Sequence, residues 1–421
     1  MKSALAGIRI LDLTDSVIGP FVTMLLAHHG AEVIKVDSRM HLGFRRLGPW
    51  GPKGNAPIPQ APEETIDFSK VRLDWLISPM FAQLNSNKLS MTLNLSKPEG
   101  RDLFKRLVKV SDVVVDNFRF GVMQKWGLDY SNLKQIKSDL VVASLQALGR
   151  GPYEEWTTWA MNVMSYAGFT QGWGYPDTSM EERIGSGYYC DYIAGGMAAT
   201  VIVAALFHRA RTGKGQYIEL SQAEVAASAM GPAYLDYFVN HRIAPPVGNH
   251  HRLFAPYNCY RCRGDDAWCV IAVRDDEEWQ QLCVALEQPS WIKDPKFKDM
   301  PNRLKNVEEL DRNIEKWTSW HTPNQVMGIL QYHGVAAGVV QNGEDLYHDI
   351  QLRARGFMVD QDLPRLGSIT FAGMPVRPSS GSTVPYQRAP WLGEHNDYVY
   401  GQLLGLDENE RKSLEEAQVI Y

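Results

Sequence analysis

The segments IRILDL at residues 8–13 and EVIKVD at residues 32–37 decide the fold of this chain, together with the apolar stretch GPFVTMLLA at residues 19–27 between them. Both flanking segments are short aliphatic runs of the kind that form buried strands, and Gly19-Pro20 places a proline where the first turn of a helix tolerates it. Gly30 ends that helix. A strand, a helix and a second strand predict a β-α-β unit with a right-handed crossover.

The same alternation continues along the first half of the chain. Residues 112–116, 140–145 and 216–220 predict further strands, and residues 98–108 and 193–210 predict helices. Strands that alternate with helices are typical of an α/β fold whose parallel sheet is covered on both faces. Residues 47–84 hold Gly, Pro and isolated apolar residues, which indicates a long surface excursion.

Composition and charge narrow the functional class. The 421 residues allow two or three folding units, and 44% hydrophobic with 22% charged residues is ordinary for a soluble globular protein. A net charge of −5 gives no indication of a nucleic-acid partner. The first ten residues lack the apolar core of a signal peptide, and no uncharged apolar segment of membrane-spanning length is evident. We therefore expect a cytoplasmic protein that does not contact a membrane.

The sequence does not favour a metal or a tightly bound cofactor. No Gly-x-Gly-x-x-Gly follows the first strand, so dinucleotide binding is not expected. Cys259-x-x-Cys262 has no second ligand pair, and the five cysteines of so long a chain do not indicate a disulfide framework. The pairs His28-His29 and His250-His251 are adjacent rather than four residues apart. We expect no metal site.

Asp191 stands directly before a helix-forming run, in the sequence CDYIAGGMAA at residues 190–199. Aspartate is a favoured N-cap, because its side chain accepts hydrogen bonds from the first N–H groups of a helix. A carboxylate at this position could also be a nucleophile, and both interpretations stay open at the level of the residues alone.

Several segments, taken in order, resemble the family III CoA-transferases, a superfamily that also includes the alpha-methylacyl-CoA racemases. They are LAGIRILDLT at residues 5–14, GP at 19–20, GAEVIKV at 30–36, NKLS at 87–90 before PEG at 98–100, DNFRFG at 116–121, GPY at 151–153, RTGKGQ at 211–216 and LGEH at 392–395. The resemblance covers nearly the whole chain.

This resemblance implies a fold and an assembly. The large domain would be Rossmann-like, bind coenzyme A and be built from both chain ends, residues 1–220 and 336–421, the latter including a return linker. Residues 221–247 would form a linker and residues 248–335 a smaller α+β domain, in agreement with the change in pattern after Pro245-Pro246. This chain would interlock with a second chain in a dimer. The second chain would be an identical copy or a related subunit, as in the succinyl-CoA:benzylsuccinate CoA-transferase.

The resemblance also implies site residues. In the family the aspartate before the Gly-Met-Ala-Ala helix is the nucleophile, a place that Asp191 occupies. Arg39 and Lys125 would pair with the phosphates of coenzyme A. The full set of positions that match coenzyme A contacts is Val17, Ser38, Arg39, Leu93, Asn117, Phe118, Lys125 and Trp126. One departure is that Ser38 stands where members often carry arginine, and Arg39 follows it.

The chemistry follows from what a carboxylate does to a thioester. Attack on an acyl-CoA gives a mixed anhydride, and the released thiolate then converts it to an aspartyl-CoA thioester that an incoming acid can resolve. Acyl-CoA and a carboxylic acid would be the substrates, with no bound cofactor. Gly185 and Gly187 are candidate amide donors to the anhydride oxygens, although a plain turn is the better explanation of each. Gly248-Asn249 could replace part of a glycine run that other members carry.

Two other functions are weighed against CoA transfer. Racemases of the superfamily carry a His-Asp pair after Gly-Pro-Tyr, where this chain has Trp159-Ala160, so the two bases that racemisation needs are not both present. A non-catalytic partner subunit is the second alternative, and retention of Asp191 argues against it.

Aromatic residues before Asp191 indicate a pocket for a bulky acyl group, unless these side chains belong to the hydrophobic core. For such a pocket we expect benzylsuccinate as the acceptor and succinyl-CoA as the donor. These residues are Trp156, Trp159, Trp173, Tyr175, Tyr188 and Tyr189.

Overall fold

A computed structural model describes residues 3–46, 78–183, 188–363, 367–379 and 384–421. The chain forms two compact units. The first comprises Met1–Gly168, Ser186–Gly231 and Gln351–Tyr421, and the second Phe169–Gly185 and Pro232–Ile350. Both chain ends therefore belong to the first unit, while the domain boundaries given above stay predictions.

The strands of the described residues form three sheets. They are β1 Arg9–Asp12, β2 Glu32–Asp37, β3 Leu89–Thr92, β4 Val113–Asp116, β5 Val141–Gln146, β6 Tyr217–Ser221, β7 Tyr257–Arg261, β8 Trp268–Ala272, β9 Ala336–Val339, β10 Met358–Leu363 and β11 Gly367–Ala372. The first unit contains a six-stranded parallel sheet with the order β3-β2-β1-β4-β5-β6 and a two-stranded antiparallel sheet of β10 and β11. The second unit contains the antiparallel sheet β7-β8-β9. The predicted α/β fold with a parallel sheet is confirmed.

Helices follow most of these strands. They are α1 Ile18–His28, α2 Pro79–Leu84, α3 Pro98–Lys109, α4 Val122–Trp126, α5 Tyr130–Ile136, α6 Ala160–Tyr166, α7 Phe169–Gly172, α8 Tyr189–Thr212, α9 Gln222–Ala229, α10 Gly231–Asn240, α11 Asp276–Ala285, α12 Met300–Lys305, α13 Val307–Thr318, α14 Pro323–Tyr332, α15 Gly343–His348, α16 Ile350–Ala354 and α17 Glu408–Glu416. Short 3₁₀ turns occur at Gly43–Arg46, Met180–Arg183 and Pro289–Ile292, and a π-helical turn at Asp397–Leu403.

Alternate residues of the parallel strands enter two different cores. Ile10 faces the core that α1 and α8 cover, with Val113 and Ala198, whereas its neighbour Leu11 faces a second core with Phe104 and Tyr400. Because successive side chains of a strand point to opposite faces, the sheet is buried on both sides. Burial on both faces explains why the strands are continuous runs of aliphatic residues in the sequence.

Strand order reverses direction in the middle of the sheet. β1 pairs with β2 on one side and with β4 on the other, both in parallel. The connections that leave β1 and β4 therefore run to opposite sides, and a crevice opens between their carboxyl ends, where ligands bind in open α/β sheets.

Helix α8 is the one helix of the described residues that is long and apolar enough to cross a membrane by length and composition. It packs along α1 on one face of the parallel sheet. The core position accounts for the apolar residues on the buried face of this helix.

Three features differ from the sequence interpretation. α8 begins at Tyr189 rather than at Ile193, which changes the position of Asp191. α2, at the end of the stretch predicted to be a surface excursion, buries Phe81 and Leu84, while residues 47–77 lie outside the described residues. Strand β3 was not predicted.

Candidate active site

Asp191 is the third residue of α8. The helix has Tyr188 as its N-cap and no side-chain hydrogen bond caps it, so the interpretation of Asp191 as an N-cap is wrong. A residue within the first turn already has helical backbone, and here its side chain turns into the protein, where the Asp191 residue is only 6% exposed. A carboxylate in the first turn still benefits from the positive end of the helix dipole.

The Asp191 carboxylate lies between three helices. Ile18, at the start of α1, lines the same cavity, and its backbone N–H lowers the pKa of the carboxyl. The side-chain amide Nε2 of Gln222, at the start of α9, is 3.5 Å from Oδ1. The Cys190 thiol contacts the other oxygen, Oδ2, at 3.8 Å. None of these groups is a cation.

Burial is the main influence on the acidity of this carboxyl. It raises the pKa of Asp191 from 3.8 to about 6, and the hydrogen bonds that the carboxylate accepts offset only part of that effect. At pH 7 the ionised form therefore exceeds the acid about tenfold. The result is a poorly solvated anion, which is a reactive form of a carboxylate.

The donor at Ile18 depends on how α1 begins. Ser16 has a φ of 66°, which turns the chain sharply after β1, and Gly19 lies so close to Thr14 that a Cβ at Gly19 would be 2.2 Å from the Thr14 Cβ. Buried Lys88 links the first turn of α1 to the end of β1. Its Nζ donates to the Pro20 carbonyl at 3.0 Å and to Asp12 Oδ2 at 3.0 Å. The GP and NKLS segments thus shape the site instead of reacting in it.

Asp191 lines a cavity of about 530 Å³ in the first unit. Two of the predicted coenzyme A contacts, Val17 and Asn117, also line it, as do Trp159 and Tyr188. Among the described residues that line it there is no histidine and one carboxylate. The cavity therefore surrounds one reactive anion with apolar and neutral polar groups.

A second cavity of about 320 Å³ lies at the carboxyl ends of β2 and β3. Four predicted coenzyme A contacts line it, namely Ser38, Leu93, Phe118 and Trp126. The rings of Phe118 and Trp126 meet edge to face, with centroids 5.3 Å apart. The connections after β1 and β4 contribute neighbouring residues to both cavities, so the two openings flank the crevice of the sheet.

Asn117 holds these two connections together. Its Oδ1 accepts from the backbone N–H of Asp15 at 3.0 Å, and its Nδ2 donates to the Asp15 carbonyl at 2.7 Å. This reciprocal pair fixes the turn that presents Val17 and Ile18 to Asp191. The family resemblance implied Asn117 as a coenzyme A contact, and no feature of the sequence indicated this structural role.

The two predicted phosphate ligands lie outside both cavity linings. The Arg39 guanidinium lies over the Tyr421 ring, 5.4 Å from its centroid, and the Arg39 Nε is buried without a hydrogen-bond partner. Lys125 is exposed in the last turn of α4, next to Trp126. Both cations are adjacent in sequence to residues of the second cavity.

Several other predictions have different outcomes. Gly185 and Gly187 lie outside the described residues, and Gly248-Asn249 belong to the second unit. The six aromatic residues are not core, since each is at least 40% exposed, and two of them line the Asp191 cavity. No group of three His, Cys, Asp or Glu suited to a metal occurs among the described residues, and Cys262 is a free thiol in the core of the second unit.

The model of CoA-transferase family III matches residues 5–396 of this chain. The chain belongs to CoA-transferase family III. Members of this family act on coenzyme A thioesters, and in open α/β sheets ligands bind at a crevice of the kind described above.

Relatives and solved structures agree with this assignment. The probable CoA-transferase Rv1866 of Mycobacterium tuberculosis is 31% identical over 99% of this chain, which spans half of that protein. The formyl-CoA:oxalate CoA-transferase of Bradyrhizobium diazoefficiens is 28% identical over 97% of this chain and 96% of its own length. The succinyl-CoA:mesaconate CoA-transferase of Haloarcula hispanica is 31% identical over 93% and 94%.

The solved structure of a CAIB/BAIF family protein from Brucella suis superposes with a TM-score of 0.81 at 29% identity, over 96% of this chain and all of that chain. That of Rv3272 from M. tuberculosis gives 0.76 at 25% identity, over 94% and 98%.

Proposed function

We propose that this enzyme moves coenzyme A from an acyl-CoA donor to a free carboxylic acid, with Asp191 as the nucleophile. The observation that carries the proposal is a buried carboxylate that lines a cavity at the crevice of the sheet, beside the start of α1. In that position the carboxylate is reactive because few water molecules solvate it.

The reaction begins when Asp191 attacks the thioester carbonyl carbon. The C–S bond breaks, coenzyme A leaves as the thiolate, and a mixed anhydride remains. The thiolate then attacks Cγ of Asp191 and expels the donor acid, which leaves an aspartyl-CoA thioester. An acceptor carboxylate reverses both steps and departs as the new acyl-CoA. The Ile18 N–H would take the role for which Gly185 and Gly187 were considered, because Ile18 lines the cavity beside the carboxylate that becomes the reacting carbonyl.

Coenzyme A would extend between the two cavities. Its nucleotide part would lie against Ser38, Leu93, Phe118 and Trp126, where the aromatic pair offers a flat apolar surface. Val17 and Asn117 would contact the pantetheine arm near Asp191. Arg39 and Lys125 would supply cations to the phosphates from the edge.

Transfer is favoured over racemisation by the lining of the Asp191 cavity. Racemisation needs two bases on opposite sides of the acidic carbon. Asp191 is the single carboxylate among the described lining residues, and Trp159 and Ala160 occupy the place of the second base. Incubation with one enantiomer of a 2-methylacyl-CoA checks this: epimerisation without exchange of acids would contradict transfer.

The acceptor would be a bulky acid, with benzylsuccinate as the example and succinyl-CoA as the donor. The exposed rings of Trp159 and Tyr188 at the cavity support an aromatic acyl group. A screen of free acids with succinyl-CoA, followed by mass spectrometry, should give product with benzylsuccinate. Exclusive use of formate or oxalate would show that the pocket selects small acids.

Trapping the covalent intermediate tests the nucleophile. The enzyme is incubated with an acyl-CoA without acceptor, treated with hydroxylamine or borohydride, and digested for peptide mapping. The adduct should be on Asp191, and Asp191→Ala should lose adduct and exchange together. Glu155→Gln, a change at an exposed carboxylate of the same unit, serves as the control. An adduct on another residue during normal exchange would refute the mechanism.

A further inference from the structure

We infer that Gln222 is a positioning residue for Asp191 and the side-chain donor to the oxyanion that forms on the aspartyl carbonyl. This inference rests on the proposed function. It concerns a residue that no sequence motif indicated, and its chemistry would act in every step in which the aspartyl carbon is attacked.

The fold fixes Gln222 firmly. It is the first residue of α9, directly after β6, whose last residue Ser221 pairs with Gln146 of β5. The Ser221 hydroxyl accepts from the Glu224 N–H at 3.2 Å, and the Ala223 N–H donates to the Ala147 carbonyl at 2.9 Å. The start of α9 is therefore attached to the parallel sheet.

The side chain of this residue is buried beside one charged atom. Gln222 is 7% exposed, and burial of an amide is unfavourable unless it forms hydrogen bonds. Its Nε2 lies 3.5 Å from Asp191 Oδ1, at the long limit for a hydrogen bond. Catalytic hydrogen bonds are often long in the free enzyme and shorten as charge develops.

Two donors from two elements approach the same carboxylate. Gln222 contacts Oδ1, and the Ile18 N–H, in the lining of the same cavity, also lowers the pKa of the carboxyl. The Cys190 thiol, a weak donor, is 3.8 Å from Oδ2. Oδ2 is therefore the less firmly held oxygen and the one that attacks the thioester. Oδ2 then becomes the bridging oxygen of the anhydride, and Oδ1 becomes the carbonyl oxygen.

The amide is most useful when the thiolate attacks Cγ. The electron pair of the C=O bond moves to Oδ1, which becomes an oxyanion, and it returns when the Cγ–Oδ2 bond breaks and the donor acid leaves with Oδ2. A carboxamide N–H can donate to a carboxylate, a carbonyl and an alkoxide in turn, with the largest stabilisation for the localised charge. Loss of one such donor typically lowers kcat by about 10²- to 10³-fold.

The test compares Gln222→Met and Gln222→Glu with Glu224→Gln. Glu224 is exposed two residues further along the same helix, so its variant is the matched control. Gln222→Met keeps the length of the side chain and should lower kcat about 10²-fold with the KM for acyl-CoA changed less than threefold. Gln222→Glu should be equally slow at pH 7.5 and recover in part at lower pH, where a protonated Glu can donate.

A pH profile separates positioning from general structural support. The Gln222 hydrogen bond lowers the pKa of Asp191, so the acid limb of kcat/KM should move to higher pH in Gln222→Met. Neighbouring titratable groups do not interfere, since burial raises the pKa of Cys190 to about 12 and that of Tyr192 above its usual value. Both stay neutral between pH 5 and 8.

The outcomes distinguish this inference from the proposed function. Trapping on wild type comes first: an adduct away from Asp191 overturns the proposed function and this inference with it. If the adduct is on Asp191 but Gln222→Met keeps kcat within threefold and an unshifted pH profile, only the role of Gln222 is refuted. Thermal melting of each variant is compared with that of Glu224→Gln. A kcat loss in a variant that melts like this control, with a shifted acid limb, supports the inference.

Discussion

The burial that would make Asp191 reactive also lowers the stability of the folded protein at neutral pH. Burial raises the pKa of its carboxyl from 3.8 to about 6, so the folded chain holds the proton more tightly than the unfolded chain. A carboxyl whose pKa is raised on folding stabilises the folded state fully below its unfolded-state pKa of 3.8. That contribution is lost as the pH rises through its folded-state pKa of about 6. About two pKa units correspond to roughly 3 kcal/mol as an upper bound.

We predict that Asp191→Asn stabilises the protein above pH 6. Asparagine has the same shape and no charge, so the free energy of unfolding should rise by about 1–3 kcal/mol at pH 7.5 and change little at pH 4. Urea denaturation at the two pH values measures the difference. Glu155→Gln removes an exposed charge and should change stability by less than about 0.5 kcal/mol at both. A loss of stability at pH 7.5 in Asp191→Asn would show that the carboxylate is a structural group.

At this scale the sequence indicated the proposed nucleophile but not its surroundings. Asp191 was found because it precedes a run typical of the family. Ile18 and Gln222, which contact it, are distant in sequence and are brought close only by the packing of α1, α8 and α9. The capping interpretation failed because Tyr188 and Tyr189 give no signal for a helix start, although α8 begins there.

At the scale of elements, the close approach of α1 and α8 sets the distance between the Ile18 N–H and the Asp191 carboxylate. Gly195 lies in the interior of α8, where a Cβ would be 2.7 Å from the Phe21 ring and 3.5 Å from the Ile18 carbonyl. A Cβ on the neighbouring Gly196 would meet no atom within 4 Å. Two adjacent glycines of one helix therefore differ in the space that is available for a Cβ atom.

We predict opposite effects of alanine at these two positions. Gly196→Ala should gain up to about 1 kcal/mol, because alanine favours a helix more than glycine does. Gly195→Ala gains the same preference but must displace Phe21, so it should lose about 1–2 kcal/mol net. It should also lower kcat, since it moves the Ile18 N–H away from Asp191. Thermal denaturation and exchange assays measure both effects; equal behaviour of the two variants would show that α1 and α8 are not in tight contact.

Element types were easier to predict than element ends. The strand at residues 32–37 was predicted with the observed limits, whereas α1 starts at Ile18, ahead of the Gly19-Pro20 pair that was expected to open it. Strands β10 and β11 were missed because MVDQDL and GSITFA lack an aliphatic run. These strands pair with each other as a hairpin, so they need less burial than strands of the parallel sheet.

At the scale of the whole molecule, the alternation of strands and helices gave the parallel sheet, but not its order. The reversal between β1 and β4, which creates the crevice, depends on which faces the connecting helices cover. Distant pairings of this kind leave no local signal. Resemblance to a family supplied the Rossmann-like large domain where the pattern of residues could not.

Each unit exposes large apolar side chains on a helix. In the first unit α8 exposes Met197, Val201 and Phe207, and in the second unit α10 exposes Leu235 and Phe238. Phe238 is 79% exposed, and clusters of large exposed apolar side chains mark association sites in soluble proteins. Because the chain resembles a family whose members form interlocked dimers, these faces are candidates for the contact between two chains.

We predict that the purified chain is a dimer and that charge on these faces prevents its formation. Val201→Lys and Phe238→Lys would each bury an unpaired cation in the interface, which costs several kcal/mol, so both should elute as monomers with reduced exchange activity. Light scattering after size exclusion measures the mass, and Glu155→Lys, with an equal charge change at an exposed site, should remain a dimer. A wild-type chain that is monomeric and inactive alone, but active with a related subunit, would favour the heteromeric arrangement. A monomeric and fully active chain would refute the expected dimer, because these apolar faces would then have no function in assembly.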